Sequence, residues 1–346
     1  MCPQRVHRPV RWRPPPRSRD RAVALPLALH ALPGPGGEDA LIEPSGSVVT
    51  GLGNGDVVRL GREGATVLGN TGGRPLGIEA CPDGSLLVCD HDKGLLRLDP
   101  ASGRITVVVD EIEGAPLRFC SNAVLCDDGT LYFTTSSDTA TWDDYDADTI
   151  AHATSGRLVR LGPGGDVTVL ARGLAFANGL ALAPDESFVL VAETLAYRIR
   201  KFQLKGLDAG NWSDFVTGMP GFPDNMSLSE AGLLWVALPA PRMGLLDFLL
   251  PRPPVLRALA LRMPPALRPR PRRVVWVQAY DLDGRLVHNI KMKHRRFSFV
   301  TGVAQSHDAG DATGTLWLAS PHHAALGRMA LPPAGAAAQA RDKRGL

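Results

Sequence analysis

No run in this chain reaches the roughly 18 consecutive apolar residues of a membrane-spanning helix, so no spanning segment is expected within it. Arg19-Asp20-Arg21 followed by 22–32 has the outline of a secretory leader. Its apolar run is short, is interrupted by Pro26 and His30, and lacks a small-x-small cleavage site. Cysteine is scarce and odd in number: Cys2, Cys81, Cys89, Cys120 and Cys126. Such a set without zinc spacing excludes a disulfide framework and structural zinc. Buried free thiols and a cytoplasmic, reducing location are therefore expected, with a secreted or periplasmic one as the alternative. No Gly-x-Ser-x-Gly elbow or Ser/His/Asp order is present. Basic residues are sparse outside two segments: 1–30 holds seven Arg and one Asp, and 241–273 holds eight Arg and one Asp, leaving 23 basic and 33 acidic residues elsewhere. An acidic body argues against nucleic acid as a partner and suits a cation site.

What the chain does have is a short phrase used six times: Ser-Gly-Ser-Val-Val-Thr (45–50), Asp-Gly-Ser-Leu-Leu-Val (83–88), Asp-Gly-Thr-Leu-Tyr-Phe (128–133), Asp-Glu-Ser-Phe-Val-Leu (185–190), Ala-Gly-Leu-Leu-Trp-Val (231–236) and Thr-Gly-Thr-Leu-Trp-Leu (313–318). A second apolar run follows each, as in Gly94-Leu-Leu-Arg-Leu, and in most copies a third, as in Ile105-Thr-Val-Val-Val; a further strand precedes each phrase. Short β-branched runs bounded by Gly, Pro and Asp read as strands with tight turns. Four strands per unit, recurring every 38–57 residues with one interval of 82, predict an all-β, six-bladed β-propeller over 34–331. The long interval holds an insertion, 241–273, whose Leu, Arg and Pro pattern predicts short amphipathic helices. These form a packed cap, a lid, or a weak peripheral contact with anionic membrane. The Arg- and Pro-rich arm 1–33 is expected to be partly disordered, as is the tail 332–346.

Counting back eight residues from the second residue of the phrase gives Glu38, Ser121, Asn178 and Asp224 in four of the copies. Equivalent positions in a closed repeat lie at equivalent places, here the leading end of each innermost strand. Unrelated turn residues, the plainer alternative, have no reason to share a phase. Two carboxylates and two neutral oxygens on an axis suit calcium, which takes mixed oxygen ligands; zinc would want His or Cys.

Phe176-Ala-Asn-Gly-Leu-Ala-Leu-Ala-Pro-Asp-Glu-Ser-Phe-Val-Leu-Val-Ala-Glu-Thr, Tyr197-Arg-Ile-Arg and Gly218-Met-Pro-Gly-Phe-Pro-Asp-Asn closely resemble the strictosidine-synthase-like family, which includes the adipocyte plasma-membrane-associated proteins. The wider superfamily holds the regucalcin-like gluconolactonases and the paraoxonases. The resemblance implies one axial calcium held by Glu38, Asn178 and Asp224, with Ser121 standing where the family usually has Asn. It implies hydrolysis of lactones or small esters, with Asp224, Asn122 and Ser121 as candidate catalytic groups. His91, Asn225 and Trp142 are the candidate channel residues. The glutamate that the plant synthase uses has no counterpart in 298–307, and of the paraoxonase His pair only His91 is near a match, the other falling at Leu76. Pictet–Spengler condensation is therefore not expected. The acidic stretch 138–148 lacks the Gly and final Glu of an EF-hand and reads as a loop over the channel mouth, with Trp142 and Tyr145 facing substrate. A different reading is a non-catalytic, calcium-stabilised propeller that binds a small ligand, a protein or a membrane.

Overall fold

The computed structural model describes residues 8–263, 271–306 and 314–331. They form six four-stranded antiparallel sheets whose innermost strands neighbour one another around an axis, the expected six-bladed propeller. Those inner strands are Leu41–Ile42, Pro75–Ala80, Cys120–Leu125, Ala177–Leu182, Met226–Leu228 and Gly302–Ser306. The expected tail 332–346 lies outside the described residues.

The recurring phrase is the turn into the second strand of each blade. In three copies its Asp oxygen caps the turn: Asp83 accepts from the Ser85 amide (3.0 Å), Asp128 from Thr130 (2.8 Å) and Asp185 from Ser187 (3.0 Å). The next residue takes positive φ, +82° at Gly84 and +83° at Gly129, which is why Gly recurs there. In the fourth copy Glu186 adopts φ +54°, and its carboxylate accepts the Asp127 amide of the preceding blade at 2.6 Å.

Blades bury their apolar faces on each other. Val49 and Val57 of the first pack with Ile78, Val88 and Leu96 of the second, all at most 5% exposed. Each such side chain contributes about 1.5–3 kcal/mol, available only once a neighbouring blade is in place.

The N-terminal arm is not disordered where it is described. Ala28–Ala31 is the outermost strand of the last blade, paired with Ala325–Ala330. The propeller therefore begins upstream of residue 34, and the first and last parts of the chain close the ring together. Before that strand the arm runs over the molecule as a strap. Val10 and Trp12 donate to Ala151 and Leu250, Ser18 donates to Gly218, and Val23 bridges Ile290. A Pro- and Arg-rich composition does not by itself pack, but Trp12 stacks on His152 at 4.2 Å and lies near Tyr197, and this anchors it.

The acidic stretch is partly helical: α1 is Tyr145–Ala151. The insertion forms α2 (Gly244–Leu249) and α3 (Val255–Leu261). Arg257 on α3 is fully buried and donates to the carbonyls of Ile150 and Ala151 at the end of α1, and to Val10 of the strap. One guanidinium thus joins α1, the insertion and the arm, so the insertion is at least a packed cap.

Candidate metal and substrate site

The innermost strands of three blades are irregular at one level. The pairing register shifts between Pro75 and Ile78, between Cys120 and Ala123, and between Ala177 and Leu180. Bulges re-aim side chains. Here they turn Leu76, Ser121 and Asn178 toward the top of the axis, where Glu38 and Asp224 arrive from loops ahead of their strands. Close approach between strands is possible because Gly follows the aimed residue. A Cβ on Gly179 would lie 2.6 Å from the Asp224 carbonyl oxygen, and one on Gly302 would lie 2.7 Å from the Asp39 Cα.

All four residues of the shared phase line one cavity of about 150 Å³. Asn178 Nδ2 donates to Asp224 Oδ1 at 2.5 Å. Glu38 is buried, and its Oε2 has no hydrogen-bond partner. Burial raises both carboxyls. Glu38 is pushed up to about 7, and Asp224 is raised well above its ordinary value, with the Glu38 charge adding to the rise. Arg74 and the Thr301 hydroxyl draw Glu38 partway back. The Ser121 hydroxyl lies 2.5 Å from Ser136 Oγ and 3.2 Å from the Phe119 carbonyl. It donates to one of these and keeps a lone pair for the cavity.

Among the described residues no three His, Cys, Asp or Glu side chains form a metal-binding group, so any cation here must also use amide and hydroxyl oxygens. That donor chemistry fits calcium. The unpartnered Glu38 oxygen and two buried carboxylates that disfavour each other's ionisation are what a cation would satisfy.

The remaining candidates sit differently. Trp142 and Tyr145 line the cavity, with α1 roofing it through Thr149 and Ile150. The Arg74 guanidinium stacks 3.5 Å over Trp142. Asn122 does not line the cavity. It lies one residue past Ser121 and faces the channel beneath, where its Nδ2 donates to Asn225 Oδ1 (3.4 Å) and its Oδ1 accepts from the Leu180 amide (3.4 Å). Asn225 donates to the Glu38 carbonyl at 3.2 Å, so it holds the loop that carries Glu38 rather than lining the channel mouth. His91 stands one side chain back, edge-on against Phe119 at 4.5 Å, with Nδ1 2.7 Å from Asp92. Phe119 takes the place on the cavity wall expected for His91.

Sequence reasoning missed a second regularity. Two residues before four of the aimed polar groups stands a phenylalanine: Phe119 before Ser121, Phe176 before Asn178, Phe222 before Asp224, and Phe299 before Thr301; Gly36 holds that place before Glu38. All four line the cavity, and Phe119, Phe176 and Phe299 have φ of +49°, +60° and +60°. A polar floor and an aromatic wall thus come from one repeated Phe-x-polar step. The step also identifies Thr301 as the sixth-blade member; its hydroxyl donates to the Glu38 carbonyl at 2.8 Å. Asp39 and Glu79 were also missed. They lie in the channel below, raised by burial to about 6 and about 8.

Residues 45–243 match the family model described as SMP-30/Gluconolactonase/LRE-like region. An adipocyte plasma membrane-associated protein of Salmo salar is 37% identical over 246 residues, covering 62% of this chain and 59% of the relative, so the chain spans less than two thirds of that protein. A gluconolactonase from Xanthomonas campestris superposes with TM-score 0.63 at 19% identity, covering 94% and 97% of the two chains. Regucalcin from Agrobacterium tumefaciens, described as a calcium-binding protein, superposes with TM-score 0.61 at 18% identity, covering 91% and 98%. The plasma-membrane association in the relative's name overturns the expected cytoplasmic location. The four described cysteines are free and buried, and thiols shielded from oxidant in this way carry no information about compartment.

Proposed function

The chain belongs to the SMP-30/gluconolactonase/LRE-like family, and from that premise we propose that it is a calcium-dependent hydrolase of lactones or small esters acting at the top of the propeller axis. The observation that carries the proposal is a buried, unpartnered Glu38 oxygen in the same cavity as Asp224 and Asn178, beneath an aromatic wall. Glu38, Asn178 and Asp224 would hold the ion, with the Ser121 hydroxyl as a further oxygen. Bound there, calcium supplies Lewis-acid polarisation of an ester carbonyl.

The chain's own groups do the rest. Asn178 fixes the Asp224 carboxylate by its amide hydrogen bond, and Asp224 orients the attacking water and accepts its proton. Phe119, Phe176, Phe222 and Phe299 hold the apolar part of the substrate, and α1 with Trp142 and Tyr145 limits entry of bulk water. Asn225 and Thr301 hold the Glu38 backbone in place.

The test is turnover of a panel of lactones and aryl esters with calcium present and after chelation. Activity should vanish with chelator and return on readdition. Asn178→Ala should lower kcat/KM by roughly 10²-fold or more while leaving the melting temperature nearly unchanged. A calcium-loaded protein that hydrolyses nothing above background would contradict the proposal and favour the non-catalytic, calcium-stabilised propeller.

A further inference from the structure

We propose that Ser136 and Thr194 are positioning residues that aim the oxygens of Ser121 and Asn178 at the cation, an inference that rests on the metal site proposed above. The two hold one structural position. Cys120 pairs with Thr135 in the third blade, and Ala177 pairs with Glu193 in the fourth. Ser121 and Asn178 follow the first member of each pair, and Ser136 and Thr194 follow the second. Both residues are buried, at 2% and 9% exposure. Their amides donate alike, Ser136 to the Phe119 carbonyl at 3.0 Å and Thr194 to the Phe176 carbonyl at 3.1 Å.

Each hydroxyl makes the same two contacts. Its proton goes to the carbonyl just ahead of the next blade's candidate ligand. Ser136 Oγ donates to Ala177 at 2.8 Å, before Asn178, and Thr194 Oγ1 donates to Pro223 at 2.7 Å, before Asp224. A hydroxyl has one proton, so toward its own blade's ligand each can only accept. Thr194 Oγ1 accepts from Asn178 Nδ2 at 3.4 Å, and Ser136 Oγ accepts from Ser121 at 2.5 Å. The Phe119 carbonyl, 3.2 Å from Ser121, already has the Ser136 amide.

These directions decide what faces the cavity. The two Asn178 amide hydrogens go to Thr194 and Asp224, which leaves Oδ1 as the free acceptor. Flipped, the amide would set Oδ1 against the Asp224 carboxylate and against a hydroxyl with no proton left to give. Ser121, having given its proton to Ser136, keeps both lone pairs. One hydroxyl thus orients one ligand and holds the backbone of the next, from the third blade to the fifth. The second blade is an internal comparison. Pro75 pairs with Asp90 there, so Leu76 takes the ligand position and His91 the position of Ser136 and Thr194. With no polar side chain to aim, that blade has no hydroxyl at this place, and His91 Nδ1 lies 2.7 Å from Asp92 instead.

The test is isothermal titration of calcium into the metal-stripped full chain, a readout that needs no turnover and so stands apart from the hydrolase reading. Thr194→Val keeps the shape of the side chain and removes the hydroxyl. It should weaken calcium binding roughly 10–100-fold, and Thr194→Ser should restore it. Ser136→Ala should weaken binding in the same direction, and the gain in melting temperature on adding calcium should shrink in both deficient variants. A merely structural role would lower the melting temperature in chelator and leave calcium affinity alone. Unchanged affinity in Thr194→Val, or binding by Thr194→Ser no better than by Thr194→Val, would overturn the proposal and leave the metal site standing. If Thr194→Val does not fold, Ser136→Ala decides, and unchanged affinity there overturns the proposal. A wild type that binds no calcium would overturn the metal site and this proposal together.

Discussion

His152 carries a clear pH signature. It closes α1 with φ +56°, is 3% exposed, stacks on Trp12, and has its pKa lowered to about 4 by burial first and then by Arg257 and Arg198. The folded protein keeps the ring neutral where the unfolded chain would protonate it near 6.5. Its contribution is therefore fully present above pH 6.5 and is lost as pH falls from there through about 4, amounting to roughly 1–3 kcal/mol. Comparison with His152→Phe isolates the effect. The stability of the wild type relative to the variant should decline across that window in chemical denaturation, and a flat difference would show that the ring is more exposed than it looks. At this scale the sequence was legible where a side chain's type and phase sufficed: Glu38, Ser121, Asn178 and Asp224 share the cavity that their common phase implies. It was not legible for Asn122, which a bulge turns into the channel, or for His91, which Phe119 screens from the cavity.

The bulged inner strand is the element that builds the site. In the third and fourth blades the bulge is joined to a Phe at positive φ with a polar residue two later, and in the second, fourth and sixth blades a Gly lets the neighbouring blade come close. Gly179→Ala tests this. The added Cβ would meet the Asp224 carbonyl oxygen and the Met226 nitrogen at 2.6 and 2.7 Å, backbone atoms that cannot swing aside. A loss of roughly 1–3 kcal/mol is expected in thermal or denaturant unfolding, with a weakened cation site because the Asp224 loop must shift. Strand number and blade count were readable from the phrase because the Asx turn and positive-φ Gly are local chemistry. The arm was not. Its place depends on Trp12 meeting His152 and on an outer strand meeting the last blade, contacts between residues far apart in the sequence. Single-segment composition cannot report such pairings.

At the scale of the molecule, the ring gives four residues separated by up to 186 positions a common point. Glu38 and Asp224 come from the first and fifth blades and Asn178 from the fourth, so an ion held by them would tie three blades together. The ring that places these groups is closed by pairing of the N-terminal strand with the last blade. The central claim, that one calcium is held at this point, is tested most directly by isothermal titration of calcium into the metal-stripped protein. One ion per chain should bind to the wild type, with at least roughly tenfold weaker binding to Asp224→Asn, which replaces a buried carboxylate ligand with a neutral amide. Unchanged calcium binding by that variant, or no saturable binding by the wild type, would contradict the account.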